Sequence, residues 1–209
     1  MRNLETSDLE RIKLPRRFWD SNFNSIVGNP QSKDNIKKKI AGYLSQIKKM
    51  RELGGGLVLW GPNGSGKTSI GAVIIKQARR NGFTALFLSC ANIKSIVVNK
   101  EMYDSEDGTT LWARAKKVDF LLLDDLGKGS LDSQGFGERL IDELIRERYS
   151  QNRCTIITTN VNKQNLSEFI KPSTLHILKG SSMQLKISDH DFRISEGIEI
   201  RDIINGGDQ

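Results

Sequence analysis

Residues 61–68 read Gly61-Pro62-Asn63-Gly64-Ser65-Gly66-Lys67-Thr68. This stretch fills every fixed position of the phosphate-binding pattern G-x-x-x-x-G-K-S/T. In that pattern the glycines let successive backbone N–H groups point at phosphate oxygens, the lysine places a positive charge on the β- and γ-phosphates, and the hydroxyl beside it can bind Mg²⁺. We therefore expect residues 61–69, which add Ser69, to bind ATP or ADP, with Lys67 acting in catalysis and Thr68 binding the metal.

Both flanks of this loop have the composition that its geometry needs. The apolar run Leu57-Val58-Leu59-Trp60 precedes it, and apolar residues at helical spacing follow it from Thr68 to Arg80. A strand before the loop and a helix after it distinguish a phosphate loop from a glycine-rich turn that matches by chance. The sequence therefore predicts strand, loop and helix in succession.

Short apolar runs alternate with helical stretches along most of the chain. The runs predict strands at 57–60, 84–90, 118–124, 155–159 and 183–188, and the stretches predict helices at 34–52, 67–81, 91–101, 109–117 and 134–151. Because the runs are nearly continuous in apolar residues, the strands are expected to be buried on both faces. The pattern predicts an α/β fold of the P-loop NTPase type, a three-layer sandwich around a mainly parallel five-stranded sheet.

The chain has 209 residues, enough for one domain with a buried core. We divide it into an N-terminal helix and extended segment (1–30), an ATPase core (31–200) and a flexible tail (201–209). In the first part, Ser7 and Glu10 match a capping box, and residues 15–19 are expected to be extended.

Composition narrows the class of protein. The chain has 32 Lys and Arg against 25 Asp and Glu, a net charge of +7, which favours an anionic partner such as nucleic acid but also occurs in basic proteins without one. Cys90 and Cys154 lie in predicted strands without metal-ligand spacing, so both are expected in the core. No apolar run has the length of a membrane span and the N-terminus lacks a signal-peptide core, so we expect a cytoplasmic protein without a membrane partner.

Two further motifs end predicted strands. The apolar run at 120–123 leads into Asp124 and Asp125, and ligands bind at the carboxyl ends of such strands. We expect Asp124 to hold Mg²⁺ and Asp125 to orient and deprotonate the attacking water; a solvated turn is the alternative. The next run ends on Asn160, whose amide would bind the γ-phosphate or that water unless it is a turn residue.

The motifs GPNGSGKT, LLLDDLGKG and TIITTN, preceded by LPRRFWDSNF, resemble those of bacterial helicase loaders and insertion-sequence transposition ATPases, the DnaC/IstB-like branch of AAA+. The resemblance runs from about Leu14 to Arg193. It implies an ATPase with a minimal or absent helical lid. Such proteins assemble head-to-tail on DNA as homo-oligomers, with nucleotide at the subunit junctions, and serve a helicase or a transposase. It also implies that Arg193 senses the γ-phosphate; an ordinary exposed arginine is the alternative.

The sequence departs from that family at Pro172-Ser173-Thr174-Leu175, where Thr174 stands in place of the arginine that reaches the neighbouring subunit's site. We therefore expect slow ATP turnover, unless another cation substitutes. The candidates are Arg146, Arg148, Lys171 and Lys179. The part before the core is also shorter than the helicase-binding domain of many loaders, which weakens the inference of a helicase partner.

Residues 92–117 carry the composition expected of a DNA contact. Lysines and arginines there accompany Tyr103 and Trp112, which could stack on bases or simply pack. The cations are Lys94, Lys100, Arg114, Lys116 and Lys117. Two functions follow: an ATP-hydrolysing protein that loads or activates a DNA-processing partner, or a nucleotide-stabilised DNA-binding scaffold with little turnover. A small-molecule kinase is disfavoured because no arginine-rich acceptor lid follows Asp125.

Overall fold

A computed structural model describes residues 3–23, 30–98, 109–127, 135–162 and 164–187, without the side chains of 30–34. The described helices are α1 (Thr6–Arg11), α2 (Pro30–Ser45), α3 (Ile47–Leu53), α4 (Lys67–Arg80), α5 (Ile93–Val98), α6 (Leu111–Lys117), α7 (Phe136–Ser150) and α8 (Pro172–Ser181). The strands are β1 (Gly56–Trp60), β2 (Ala85–Ser89), β3 (Phe120–Leu126), β4 (Cys154–Thr159) and β5 (Ser182–Lys186). Short 3₁₀ turns cover Arg16–Phe18, Cys90–Asn92 and Leu166–Glu168.

The strands form one five-stranded parallel sheet in the order β2-β3-β4-β1-β5. This arrangement confirms the predicted α/β class and the parallel sheet. Because all strands run the same way, the loops after β1, β3 and β4 leave the sheet at the same end, where ligands bind in such folds. The three motifs found in the sequence therefore meet at one end of the sheet.

Each face of the sheet has its own hydrophobic core. Successive side chains of a strand point to opposite faces, so Leu57 and Leu59 of β1 join one core while Val58 joins the other. Residues of α1 to α4 and their connections cover the first core, and residues of α5 to α8 cover the second. Each fully buried leucine or isoleucine contributes about 1.5–3 kcal/mol. The three-layer sandwich expected from the sequence is confirmed.

The N-terminal segment packs against β2 and α4. The backbone N–H of Phe87 in β2 donates to the carbonyl oxygen of Ile12 at 2.8 Å, which pairs part of an edge strand that would otherwise be open. Lys76 on α4 is 4% exposed and donates to the carbonyl oxygens of Trp19 and Ser21. Burial lowers the pKa of Lys76. These contacts join residues 12–21 to the helix that follows the phosphate loop.

The capping box of α1 differs from the sequence prediction. The helix begins at Thr6, so its N-cap is Glu5 and the third helical residue is Asp8. Those two residues form the reciprocal capping contacts that we expected of Ser7 and Glu10. The prediction failed because helix ends can be located only to within one or two residues, and α1 has only six residues.

Other boundaries also differ. Arg16–Phe18 form a 3₁₀ turn, in which Phe18 N–H donates to Pro15 O at 2.9 Å, instead of the expected extended segment. The helix predicted at 34–52 is two helices that meet at Gln46. Cys90 lies in the turn after β2 and Cys154 begins β4, and both are buried free thiols, as expected of core residues.

The sequence prediction missed α8. Pro172 at its first helical position is the signal that could have found it. The signal was weak because Ser173, Thr174 and Gly180 are poor helix formers. Leu178 is 5% exposed in the second core, so packing stabilises the helix more than propensity does.

Several expectations fall on residues outside the described ranges. They concern Lys100, Tyr103, Arg193, the lid after β5 and the tail at 201–209. Within the described ranges, no helix is long and apolar enough to cross a membrane.

Candidate nucleotide-binding site

The phosphate loop connects β1 to α4, as predicted. Gly61 begins it, and a Cβ built there would lie 2.3 Å from the carbonyl oxygen of Ile187, so the close approach of these backbones requires glycine. Gly66 is the N-cap of α4 with φ 85°, a left-handed conformation that favours glycine. The N-terminal end of a helix presents free N–H groups and a partial positive charge to an anion. The loop therefore has the backbone of a phosphate site.

Lys67 is the first residue of α4 and is only 5% exposed. Its ammonium donates to the carbonyl oxygens of Gly61 and Pro62 at 2.9 and 2.6 Å and lies 3.4 Å from Ser65 Oγ. The charge is thus held inside the curl of the loop. Phosphate oxygens would be stronger acceptors than these neutral carbonyls, so a bound nucleotide would draw the ammonium toward them.

Asp124 lies close to the phosphate loop. The Thr68 hydroxyl on α4 donates to Asp124 Oδ1 at 2.8 Å, and the Thr158 hydroxyl on β4 donates to the same oxygen at 2.7 Å. The structure therefore brings together the two residues predicted to bind the metal, and it adds Thr158. The sequence signal for Thr158 was a hydroxyl residue inside a buried strand end, which the prediction passed over in favour of Asn160.

Asp124 and Asp125 both lie inside β3, because the strand continues to Leu126, beyond the predicted end at residue 124. The pairing of β3 with β4 shifts register between Leu123 and Leu126, which is a bulge at the two carboxylates. Asp125 has φ 58°, a conformation uncommon for a residue with a side chain, and its N–H donates to Thr158 Oγ1 at 2.9 Å. The bulge turns Asp125 away from the regular alternation of the strand.

Asn160 follows β4 on the exposed side of the loop. Its Nδ2 donates to Oδ1 of Asn63 in the phosphate loop at 3.2 Å. One residue earlier, the buried Thr159 donates its hydroxyl to Leu126 O at 2.8 Å and accepts from Val161 N–H at 3.0 Å. Hydrogen bonds therefore join the end of β4 to both the phosphate loop and the bulged end of β3.

Burial raises the pKa of Asp124, and the neighbouring charge of Asp125 raises it further. The hydrogen bonds from Thr158 and Thr68 act in the opposite direction. Burial also raises the pKa of the Cys90 thiol, with the charges of Asp124 and Asp125 adding to the effect, so the thiol stays protonated. A buried carboxylate such as Asp124 is costly without a cation nearby.

The oxygens of Thr68 and Asp124 fit Mg²⁺. They are hard ligands 2.8 Å apart at the mouth of the phosphate loop, and Mg²⁺ is usually bound by one or two protein oxygens together with waters and substrate phosphates. Within the described residues, no cluster of three or more His, Cys, Asp or Glu side chains forms an all-protein metal site. The arrangement therefore suits a metal that arrives with a nucleotide.

The sequence profile of the IstB-like ATP binding protein family matches residues 12–178. The chain belongs to this family. Its structural neighbours include the crystal structure of the DnaC helicase loader, with a TM-score of 0.70 at 23% identity over 83% of this chain and 100% of that chain. The replication initiator DnaA bound to AMPPCP and single-stranded DNA has a TM-score of 0.63 at 17% identity over 82% of this chain and 51% of that chain. The chain thus shares the fold of the DnaC and DnaA structures.

Three relatives are similar in sequence. The putative ATP-binding protein of insertion sequence IS1162 from Pseudomonas fluorescens is 35% identical over 105 residues, 50% of this chain and 43% of that protein. The replicative helicase loader DnaC of Escherichia coli K12 is 22% identical over 178 residues, 80% of this chain and 71% of that protein. Protein CdcH of Halobacterium salinarum is 21% identical over 222 residues, 94% of this chain and 28% of that protein. The chain spans less than half the length of the first and third relatives.

Thr174, the position at which we expect a departure from the family pattern, is buried. Thr174 is 0% exposed and its hydroxyl donates to Asp142 Oδ1 on α7. In this structure the Thr174 side chain is therefore not at the surface, where a neighbouring subunit could contact it. Its hydroxyl is used within the chain, at the junction of α7 and α8.

The cations proposed to replace the missing arginine differ in accessibility. Arg148 is 0% exposed and donates to Thr155 Oγ1 and to the carbonyl oxygens of Ala115, Val118 and Cys154, so it cannot reach a neighbour. Burial lowers its pKa to about 9. Arg146 has a side chain that is 42% exposed, with Nε 3.2 Å from Asp142 Oδ2.

The described part of the predicted DNA-binding stretch uses several cations within the chain. Lys116 pairs with Glu143 and Glu147 at 2.9 and 2.7 Å and lies 5.7 Å from the centre of the Trp112 ring. Arg114 donates to the carbonyl oxygen of Arg11 at 2.6 Å. Trp112 packs against the second core, which agrees with the packing alternative.

Proposed function

We propose that this IstB-like protein binds and hydrolyses ATP, assembles on DNA as a homo-oligomer with nucleotide at the subunit junctions, and loads or activates a helicase or transposase. Membership of an ATP-binding family supports the nucleotide part. The names of the helicase loader DnaC and of the insertion-sequence protein support the two kinds of partner. A cytoplasmic location belongs to the same proposal.

The 2.8 Å hydrogen bond between Thr68 and Asp124 carries the proposal. It joins the phosphate loop to the carboxylate pair of β3, elements that are distant in sequence. A glycine-rich turn that matched the motif by chance would not place its hydroxyl against a buried carboxylate. The pairing is the arrangement that phosphoryl transfer needs for a metal beside the β- and γ-phosphates.

Two side chains and the backbone of the phosphate loop, together with Asp124, have defined parts in binding. Lys67 would leave the carbonyl oxygens of Gly61 and Pro62 and neutralise phosphate charge. Thr68 and Asp124 would hold Mg²⁺, which supplies charge neutralisation on the β- and γ-phosphates when bound. The backbone N–H groups of residues 61–69 would fix the phosphates by hydrogen bonds.

The remaining polar residues act on water and on the γ-phosphate. Asp125, next to the metal ligand in β3, would orient the attacking water and accept its proton. Asn160 would exchange its bond to Asn63 for one to the γ-phosphate or to that water. Arg193, outside the described residues, is proposed as the sensor of the γ-phosphate on the family resemblance alone.

We propose Arg146 as the cation that reaches a neighbouring subunit's nucleotide. Its guanidinium donates to Ser173 Oγ at the start of α8 and to Asp142, so it lies beside the buried position where the family has arginine. Lys171, 61% exposed and 3.5 Å from Asp142 Oδ2, is the alternative. Arginine suits the role better because its planar group binds phosphate oxygens in pairs.

Phosphate release in the presence of DNA tests the assignment. We expect Arg146→Ala to lower DNA-stimulated turnover by roughly a thousandfold, the lower end of what arginine fingers contribute. Arg139→Ala, which removes an exposed arginine of the same helix, is the matched control and should turn over as the wild type does. Unchanged turnover in Arg146→Ala would refute the assignment and direct the test to Lys171→Ala.

DNA binding is tested by fluorescence anisotropy with a labelled oligonucleotide. We expect affinity to require ATP and to fall steeply with salt, because lysine and arginine contacts to phosphate release counterions and an oligomer multiplies those contacts. Binding that responds neither to nucleotide nor to salt would remove the basis for a DNA partner.

A scaffold with little turnover is the second candidate. The burial of Thr174 favours it, because the family's arginine position offers no charge to a neighbour here. A scaffold would bind DNA only with ATP yet release no phosphate above background. Brisk turnover on DNA would exclude it.

A further inference from the structure

We propose that Thr158 is a positioning residue that couples the two carboxylates of β3, so that the gain in nucleotide affinity from Mg²⁺ depends on its hydroxyl. The inference rests on the proposed function, since it concerns the same nucleotide site. It assigns a role to a buried side chain on the sheet side of that site.

Thr158 is 0% exposed, and its hydroxyl makes two hydrogen bonds. It donates to Asp124 Oδ1 at 2.7 Å and accepts the backbone N–H of Asp125 at 2.9 Å. A hydroxyl has one proton to donate. Because the Asp125 N–H occupies a lone pair, the proton is directed at Asp124.

The bulge explains why a side chain, and not a backbone carbonyl, accepts the N–H of Asp125. Between Leu123 and Leu126 the regular pairing of β3 with β4 is interrupted. The N–H of Asp125 lies in that interval with φ 58°, and the Thr158 hydroxyl accepts it in place of a strand carbonyl. The Thr158 hydroxyl oxygen is thus hydrogen-bonded both to the backbone N–H of Asp125 and to the side chain of Asp124.

Thr68 and Thr158 bond the same oxygen of Asp124 but differ in what a metal would do to them. If the Thr68 oxygen binds a cation, its proton need no longer point at Asp124, and that bond can be given up. Thr158 lies on the sheet side and keeps its bond whether or not a nucleotide is present. If the Thr158 hydroxyl were removed while Thr68 binds a cation, neither hydroxyl would donate to Asp124. The backbone N–H of Asp125 would also lose its acceptor.

The test measures binding of a non-hydrolysable ATP analogue by calorimetry, once with Mg²⁺ and once with EDTA, on the full chain. The quantity compared is the ratio of the two affinities. We expect Thr158→Val, which keeps the shape but removes the hydroxyl, to lower that ratio by about tenfold or more, because hydrogen bonds to charged groups are the strong class. Affinity in EDTA should stay at the wild-type value, since the Thr158 hydroxyl bonds β3 and not the phosphate loop.

Two variants separate positioning from general stability. Thr158→Ser keeps the hydroxyl and should retain the ratio within about threefold. Thr155→Val removes another buried hydroxyl of β4, one that accepts from Arg148 Nε at 3.1 Å at the opposite end of the strand. It should lower the melting temperature and leave the ratio unchanged.

A wild-type ratio in folded Thr158→Val would overturn the inference. If circular dichroism shows that this variant is unfolded, Thr158→Cys, whose thiol is a weak donor and acceptor, takes its place with the same expected loss. A wild-type protein that does not bind the analogue under either condition would instead refute the proposed function. The two failures are therefore distinguishable.

Discussion

The hydroxyl of Thr174, in the first turn of α8, donates a hydrogen bond to Oδ1 of Asp142 on α7. Both residues are buried, at 0% and 4% exposure. The other carboxylate oxygen of Asp142 contacts Arg146 Nε at 3.2 Å and Lys171 Nζ at 3.5 Å. Thr174, which we expect at the family's arginine position, therefore links α8 to α7 within the chain, and the cations beside Asp142 compensate its buried charge.

Arginine at this position should destabilise the protein. We expect Thr174→Arg to lower the free energy of unfolding by roughly 2 kcal/mol or more, because a larger side chain must enter a filled site and the bond to Asp142 is lost. Thr174→Ser keeps the hydroxyl and should cost clearly less. Urea unfolding followed by circular dichroism measures both. A Thr174→Arg protein with wild-type stability and faster ATP turnover would contradict the buried arrangement.

Lys67→Ala should abolish nucleotide binding, because it removes the ammonium charge held inside the phosphate loop. Lys76→Ala is a matched control on the same helix. Lys76 is also buried, but its ammonium donates to the carbonyl oxygens of Trp19 and Ser21, so its loss should lower the melting temperature and spare ATP binding. Calorimetry with ATP and a thermal melt distinguish the two. ATP affinity that survives in Lys67→Ala would show that the loop does not bind phosphate through this residue.

Asp125→Asn should preserve ATP binding and trap the bound triphosphate, because the metal ligand Asp124 remains while the proton acceptor is gone. Asp124→Asn should weaken binding in the presence of Mg²⁺ instead. Filter binding and single-turnover phosphate release measure the two effects. Equal loss of binding in both variants would argue against separate roles.

The stability of the fold should fall in acid because of Asp119. Its carboxylate accepts from Thr84 Oγ1 and N–H at 2.7 and 2.9 Å and from Arg153 Nη1 at 2.6 Å, and it also pairs with Arg51. Burial raises the pKa of Asp119, but the hydrogen bonds from Thr84 and Arg51 outweigh it, so the net pKa is lowered. Because the pKa of Asp119 is lower in the folded protein than in the unfolded chain, its carboxylate contributes its full stability at pH values above the unfolded pKa of about 3.9. This contribution is lost as the pH falls through the folded pKa.

Asp119→Asn is the corresponding variant. It should cost roughly 2 kcal/mol at neutral pH, the range for hydrogen bonds to charged groups, and should flatten the fall in stability below about pH 4. Denaturant unfolding at several pH values measures both effects. A variant whose stability falls with acid as steeply as that of the wild type would assign the acid sensitivity to other carboxylates.

The sequence by itself determined the fold class and predicted which segments meet at the candidate nucleotide site. The phosphate loop, the apolar run before Asp124 and the run before Asn160 are local signals, because each depends on residue types within a few positions. Strands buried on both faces are mostly apolar, and runs of this kind predicted the parallel sheet without knowledge of its order. The expected burial on both faces was wrong for β5, because it is an edge strand whose residues other than Leu185 are partly or fully exposed.

The tertiary structure decided what depends on contacts between distant segments. The strand order arises from pairing among all five strands, and the bulge at Asp125 and the bond from Thr158 to Asp124 arise from the pairing of β3 with β4. The residue types of a single strand do not specify its partner or its register. The burial of Thr174 has the same origin. Its hydroxyl donates to Asp142 because α8 packs on α7. The sequence around a threonine does not indicate whether its hydroxyl contacts a carboxylate or solvent.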